Sequence, residues 1–128
     1  MHHIILVGKQ PQSSADKNIP RWTSWSPNQL GKTQTLEVTL RNEQKVESVS
    51  IYWFDDQEGV YLPASWSMEY KDGDEWKTFQ PYVTDRFGVE GNKFNMVHPH
   101  GEVVTRALRI TMVPQANKAV GVLELIIE

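Results

Sequence analysis

The chain has 128 residues, of which 39% are hydrophobic and 23% charged, and its formal net charge at pH 7 is -3. A chain of this length buries roughly two thirds of its unfolded surface, so we expect one domain that folds alone. Lysines and arginines are scattered rather than clustered, which argues against nucleic acid or a membrane as a partner. There is no cysteine, which excludes disulfides and thiol chemistry and leaves the cellular compartment open.

The N-terminal segment MHHIILVG has a short apolar run without the basic region or the small-residue cleavage site of a signal peptide. We interpret residues 1–13 as an N-terminal extension or an edge strand, in which His2 and His3 are a candidate cloning remnant. Residues 14–128 are interpreted as a single domain, because they contain no linker, repeat or low-complexity tract.

Alternating apolar and polar residues predict strands along the rest of the chain. The segments TLEVTLR and VESVSIYWF each place apolar side chains on one face: Leu36, Val38 and Leu40, then Val49, Ile51 and Trp53. SWSMEYK and EWKTF flank Asp72-Gly73, which predicts a β-hairpin with a tight turn. RALRITMV and VGVLELIIE predict two further strands, the last with Val120, Val122 or Leu123, and Ile126 facing inward. No segment keeps a helical spacing, so the chain is predicted to be all-β, with six to eight strands in an antiparallel sandwich or barrel.

Several motifs resemble one known family. YWFDD, LPASW and YKDGDEW are similar to the discoidin-like (factor V/VIII type C) galactose-binding domains that occur as accessory domains of bacterial glycoside hydrolases. DKNIPRWTSW resembles the family's early loop, and NMV, TRALRI and GVLEL resemble its last third, so the resemblance covers about residues 14–128. It implies a jelly-roll β-sandwich, usually non-catalytic, that binds galactose-type or related sugars through loops at one end in some members and is only a packing domain in others.

The tryptophans divide into two groups. Trp53, Trp66 and Trp76 lie in or beside alternating strands and match internal positions of the family, so they are predicted to pack in the core. Trp22 matches the family tryptophan after the early loop and is also expected to be structural. Trp25 lies in the polar segment TSWSPN without a periodic partner, so it is the best candidate to stack on the apolar face of a sugar, with packing at the edge as the alternative.

Asp55 and Asp56 follow a predicted strand end. Neighbouring residues on an extended chain point to opposite sides, so these carboxylates do not face each other across a substrate as glycoside hydrolysis requires. We predict that one caps the turn and the other meets solvent, with contacts to sugar hydroxyls as the functional alternative. The remaining sugar-binding candidates are Arg21, Tyr61, Arg86 and His98. His98 and His100 lack an evident third metal ligand and are interpreted as exposed loop residues.

The resemblance also implies a structural calcium in the early loop. Asp16, Asn18 and Glu124 would supply side-chain oxygens, and backbone carbonyls would complete the six to eight ligands that calcium prefers. Two departures from the family pattern count against the site: Pro20 replaces a hydroxyl residue, and Lys17 replaces a glycine and brings a positive charge.

The main hypothesis is a non-catalytic carbohydrate-binding accessory module of a bacterial glycoside hydrolase. Its expected partners are a neutral glycan of galactose or arabinose type and the neighbouring catalytic domain, and it would be secreted or periplasmic if the parent enzyme degrades polysaccharides. The alternative is a structural domain that supports its neighbour and has no ligand. An exposed apolar patch in place of a polar cleft would favour that alternative.

Overall fold

The computed structural model describes residues 10–128 and shows two antiparallel four-stranded sheets. The strands are β1 Trp22–Thr23, β2 Gln34–Lys45, β3 Val49–Trp53, β4 Ser65–Asp72, β5 Glu75–Thr78, β6 Phe94–Val97, β7 Val104–Val113 and β8 Gly121–Ile127. One sheet has the order β1-β8-β3-β6 and the other β2-β7-β4-β5. The predicted all-β antiparallel sandwich is confirmed. Most of the proposed extension 1–13 lies outside the described residues, within which no helix is long and apolar enough to cross a membrane.

The main core lies between the two sheets and follows from the alternation of their strands. In β3, Val49, Ile51 and Trp53 are fully buried in this core, as predicted. Trp53 meets Trp66 edge to face with ring centroids 5.4 Å apart. Both indole N–H groups donate to the carbonyl oxygen of Gly88, at 3.1 and 2.7 Å, which ties the loop before β6 to the core.

A second apolar cluster covers the outer face of β3. It contains Tyr52, Phe54, Val60, Ala119 and Leu123, and Ile19, Leu30 and Phe94 pack against it. The pairing of β3 with β8 shifts between Tyr52, which lies opposite Glu124, and Trp53, which lies opposite Val122. This bulge reverses the alternation in the rest of β8. Ile126, which was predicted to face inward, is therefore 37% exposed.

The predicted hairpin of β4 and β5 is confirmed, with Gly73 in the left-handed region at φ +63°. The prediction that Trp76 packs in the core is wrong. Trp76 pairs with Lys71, which lies on the face of β4 away from the core residue Met68. Its ring is half-buried on the outside of the sheet beneath Arg109, whose guanidinium carbon is 4.3 Å from the ring centroid. Trp22, by contrast, packs against the main core as expected.

The strand directions give the sandwich two different ends. At one end, which we call the Trp25 end, β1 and β3 finish and lead into Trp25 and the Asp55–Tyr61 loop. At the other, the His98 end, β6 finishes, because β6 runs antiparallel to β3 and Val97 pairs with Val49. Four residue steps along β3 separate the two ends by about 13 Å at the usual rise of a strand.

Candidate functional site

An open hollow of about 520 Å³ lies at the Trp25 end. The side chain of Trp25 borders it and is 56% exposed, as the sequence predicted. All the other side chains in its lining are polar and uncharged: Thr23, Ser24, Ser26, Gln29, Thr33, Gln34 and Thr35. The hollow therefore combines one exposed aromatic ring with neutral hydrogen-bonding groups.

The walls of this hollow are fixed by internal hydrogen bonds. The backbone N–H of Ser24 donates to the carbonyl of Val120 at 2.9 Å, and the Val120 N–H donates to Ser24 Oγ at 3.0 Å, which fastens the segment before Trp25 to the residue that precedes β8. Elsewhere in the lining, Gln34 Nε2 donates to Gln29 Oε1 at 3.4 Å and to the Lys32 carbonyl at 3.2 Å. The start of β2 and the preceding turn thus hold each other, and the hollow is pre-formed.

Trp25 rests on the Asp55–Tyr61 loop. A Cβ atom on Gly59 would lie only 3.0 Å from Trp25 Nε1 and 3.2 Å from Cδ1, so the glycine permits the indole edge to approach the backbone. The structure therefore brings together Trp25 and the Asp55–Tyr61 loop, both of which the sequence analysis named as candidates for sugar binding. Tyr61 ends this loop, where its hydroxyl donates to the Gln57 carbonyl at 3.1 Å and the Lys118 ammonium lies 4.7 Å from its ring centroid.

Asp55 and Asp56 both cap the loop. Asp55 accepts the N–H groups of Gln57 at 3.0 Å and Leu62 at 3.2 Å, one on each carboxylate oxygen. Asp56 accepts two N–H groups on its Oδ1 atom, that of Glu58 at 2.8 Å and that of Val60 at 3.0 Å. The expectation that only one of the two aspartates would cap is thus wrong, because two successive turns each need a carboxylate acceptor. Their visible role is to fix the loop under Trp25.

Arg21 lies away from the hollow, over the outer apolar cluster. Its guanidinium carbon is 4.8 Å from the ring centroid of Phe54, and Nη1 is 3.5 Å from the Lys17 carbonyl. Lys17 in turn forms an exposed ion pair with Glu58 at 3.4 Å, which links the early loop to the Asp55–Tyr61 loop. Exposed pairs of this kind contribute little to stability, at most about 1 kcal/mol.

The three predicted calcium ligands occupy the early loop and the outer face of β8. Asp16 accepts the N–H groups of Gln12 at 3.0 Å and Asn18 at 2.8 Å, and these bonds lower the pKa of its carboxyl group. Glu124 is only 3% exposed, and its Oε1 accepts the N–H of Leu125 at 3.1 Å. Asn18 is exposed. Within residues 10–128, no three His, Cys, Asp or Glu side chains converge as a metal site.

The early loop and the last strand both contribute to the surroundings of Tyr52. Glu124 lies directly opposite Tyr52 in the pairing of β3 with β8. Ile19 of the early loop packs against the outer apolar cluster that contains Tyr52. Burial raises the pKa of the Tyr52 hydroxyl, and the negative charge of Asp16 raises it further.

Arg86 and His98 are separated from the Trp25 hollow. Arg86 lines another hollow, of about 300 Å³, that also contains Phe94 and Met96 of β6. His98 follows β6 at the opposite end, where its N–H donates to Asp85 Oδ2 at 2.6 Å and its ring Nδ1 lies 2.8 Å from the same oxygen. These bonds lower the pKa of the Asp85 carboxyl group. One small sugar does not reach both His98 and Trp25.

The polar walls of the hollow were not among the predicted site residues. Thr35 was assigned only to a predicted strand, and Thr33 and Gln34 were not singled out, although a strand end beside a turn is a common place for binding residues. The available signal was composition: the segment from Thr23 to Thr35 carries one charged residue, Lys32, among many hydroxyl and amide groups.

Solved structures of other proteins share this fold at low sequence identity. The family 32 carbohydrate-binding module of C. perfringens NanJ, in complex with galactose, has a TM-score of 0.68 and 20% identity over 95% of this chain and 87% of that chain. A structure of the Streptococcus pneumoniae beta-galactosidase BgaA has a TM-score of 0.64 and 21% identity over 90% of this chain and 78% of that chain. A Ruminococcus gnavus GH29 fucosidase in complex with fucose has a TM-score of 0.58 and 18% identity. That match covers 89% of this chain but only 21% of the fucosidase.

A family model gives the classification. The model of the F5/8 type C domain matches residues 7–125, almost the full length of the sequence. The match includes both sheets, the early loop and the segment that forms the Trp25 hollow. The chain therefore belongs to the F5/8 type C domain family.

Proposed function

We propose that this domain is a non-catalytic carbohydrate-binding module that takes a neutral glycan of galactose or arabinose type at the Trp25 hollow. The observation that carries the proposal is the exposed indole beside walls made only of uncharged hydrogen-bonding side chains. A sugar ring offers an apolar CH face for stacking and hydroxyls for hydrogen bonds, so it complements such a surface. An acidic sugar would find no cationic partner in this lining.

The surrounding contacts assign different roles to the predicted residues. Trp25 would stack on the sugar, and the wall hydroxyls and amides would bind its hydroxyl groups. Asp55, Asp56 and Tyr61 would act indirectly by holding the loop that carries Gly59 against the indole. The predictions for Arg21, Arg86 and His98 would require a ligand that extends beyond the hollow or binds elsewhere.

The biological role that follows is targeting. A shallow open site with one aromatic ring is expected to bind a monosaccharide weakly, and a millimolar Kd corresponds to only about -4 kcal/mol. Linkage to a glycoside hydrolase would amplify this affinity, because repeated sugars on a polysaccharide allow many weak contacts to act together. The galactose complex of the C. perfringens module, which has the same fold, supports a ligand of this class.

The experiment is a titration of the domain by calorimetry and tryptophan fluorescence with galactose, arabinose and galacturonic acid. We expect saturable binding of a neutral sugar and at least a tenfold loss, about 1.4 kcal/mol, in Trp25→Ala. Met96→Ala is the matched control, since Met96 is equally exposed but lies on β6 outside the hollow. Both variants should retain the thermal stability of the parent.

Two results would count against the proposal. Unchanged affinity in Trp25→Ala would remove the hollow from recognition, and a preference for galacturonic acid would contradict the uncharged lining. A folded domain that binds none of these sugars would instead support the structural alternative, in which the sandwich only supports a neighbouring domain.

We further propose a structural calcium between the early loop and β8, held by Asp16, Asn18 and Glu124 with backbone carbonyls. Glu124 suits this role because a buried carboxylate is costly without a strong partner. Asp16 already serves two N–H groups, so it would coordinate through its remaining lone pairs. Added calcium should raise the Tm of the chelator-treated domain and should have a smaller effect on Glu124→Gln. An unchanged Tm in the parent would refute the site.

A further inference from the structure

Two exposed rings lie side by side at the His98 end, far from the Trp25 hollow. The centroids of Tyr82 and His100 are 6.5 Å apart, with an angle of 37° between the ring planes. Tyr82 is 48% exposed, and the neighbouring Val83 is 74% exposed. Neither ring belongs to the main core or the outer apolar cluster, so packing in those clusters does not account for the pair.

The backbone beneath these rings is ordered by hydrogen bonds. Residues 80–82 and 98–100 form a short ribbon, in which the N–H of Tyr82 donates to the His98 carbonyl and the N–H of His100 to the Gln80 carbonyl, both at 2.8 Å. Between these bonds, Pro81 pairs with Pro99 in an antiparallel bridge. The ring of each proline restricts φ, so the two segments lose little further entropy when a ligand binds.

Asp85 fastens this ribbon to the end of β6. Its N–H donates to the Tyr82 carbonyl at 2.8 Å, and its carboxylate accepts the backbone and ring N–H groups of His98 through Oδ2. Both bonds from His98 are made to the same carboxylate oxygen, and together with the backbone bond they hold Asp85 beside the ring pair.

A hollow of about 400 Å³ opens over these residues, lined by Gln80, Pro81, Tyr82, Val83, Asp85 and His100. Its chemistry combines an exposed aromatic face with a carboxylate, an amide and an imidazole. Carboxylate and amide oxygens accept hydrogen bonds from hydroxyl groups, and the aromatic face suits an apolar CH surface. An anionic ligand is disfavoured because Asp85 is ionised at neutral pH.

We propose that this end of the sandwich is a second glycan-binding site, in which Tyr82 stacks on an uncharged sugar ring while Asp85 and Gln80 bind its hydroxyl groups. His98 is a positioning residue that orients Asp85. The site does not depend on the Trp25 hollow, since about 13 Å of β3 separates the two ends. Two sites at opposite ends would let one domain bridge two glycan chains and would raise its avidity for a polysaccharide.

The test is a titration of the ¹⁵N-labelled domain with galactose and with arabinose, followed by two-dimensional NMR. We expect shifted amides at residues 80–85 and 98–100, in addition to any shifts at residues 23–35. Tyr82→Ala should abolish only the shifts at residues 80–85 and 98–100. Tyr82→Phe should retain those shifts because the ring remains, and Trp25→Ala should leave them unchanged. Thr84→Ala is the control for a change in the same loop outside the hollow.

The outcomes separate this site from the proposed function. Shifts confined to residues 23–35 would overturn the second site and leave the Trp25 proposal standing. Shifts confined to the His98 end would support the second site and overturn the Trp25 proposal. No shifts with either sugar would overturn both. Shifts at residues 80–85 that depend on protein concentration instead of sugar would also overturn it and would identify Val83 and Tyr82 as a protein-docking surface.

Discussion

Gly88→Ala tests the contact that joins the core to the loops at the Trp25 end. Gly88 is not in the left-handed region, so the change introduces a steric effect without backbone strain. The added Cβ would lie 2.6 Å from Oδ1 of Asn95, a buried side chain. Asn95 cannot move away cheaply, because it accepts the Glu90 N–H at 3.0 Å and donates to the Glu90 carbonyl at 2.9 Å.

The expected loss of stability follows from these contacts. Relief of the overlap requires a displacement of about 0.8 Å, to a normal separation near 3.4 Å. That movement disturbs either the two bonds of Asn95 or the two indole bonds to the Gly88 carbonyl, worth about 1 kcal/mol each, and adds about 1 to 2 kcal/mol of overpacking. We expect the free energy of unfolding to fall by about 3 to 4 kcal/mol, which would lower the Tm by roughly 12 to 16 °C.

Urea unfolding followed by tryptophan fluorescence measures this change, and Gly91→Ala is the matched control. Gly91 lies in the same loop with an ordinary backbone, but its added Cβ would meet nothing closer than 3.6 Å. That variant should be neutral or more stable by up to about 1 kcal/mol, since alanine restricts the unfolded chain. Combining Gly88→Ala with Asn95→Ala removes the atom in the overlap, so the cost of the glycine change should fall to that of the control.

A cost below about 1 kcal/mol in Gly88→Ala would contradict the steric overlap with Asn95. An equal cost with and without the Asn95 side chain would also contradict it, because the loss would then not arise from this contact. A change confined to the urea dependence of the transition would indicate an effect on the unfolded state instead.

Two further predictions concern Asp85 and Asp56. The pKa of Asp85 is lowered in the folded protein, so its contribution to stability is present above the unfolded value near 3.9 and is lost as the pH falls through the lower folded value. Urea unfolding between pH 2 and 7 should therefore show less acid destabilisation below about pH 4 in Asp85→Asn, and equal slopes would contradict this. Asp56→Ala removes the acceptor for two N–H groups and should cost about 1 to 2 kcal/mol and weaken sugar binding at the Trp25 hollow. Glu58→Ala, which removes only an exposed ion pair, should change neither quantity, and a similar loss in both variants would argue against the capping role.

Strand alternation predicted most of the sheets because each strand buries one face in the main core. The alternation gave the wrong face for residues whose side of the sheet is decided by a bulge or by the register of strand pairing. Ile126 is turned outward by the bulge in β8, and Trp76 is placed outside by its pairing with Lys71, neither of which a single strand's pattern reveals. The two-residue strand β1 is too short to show a period at all.

The candidate site was predictable only in its local parts. The exposure of Trp25 followed from its polar, aperiodic surroundings, and the capping of the Asp55–Tyr61 loop followed in part from the turn preference of aspartate. The contact of Trp25 with Gly59 joins positions that are far apart in sequence, and Thr33 and Thr35 join Trp25 in the lining only through the fold. Such contacts depend on how the strands are ordered, which composition and spacing do not determine.

The acidic residues near Trp25 shape its surroundings without lining the hollow. Asp55 and Asp56 follow shortly after β3, and both accept backbone N–H groups of the loop that contacts the indole. The lining itself contains no charged side chain, and hydroxyl and amide groups from the start of β2 form part of it. Under the proposed function, recognition at this end would depend on shape, stacking and neutral hydrogen bonds, which suits a glycan bound weakly and repeatedly along a polysaccharide.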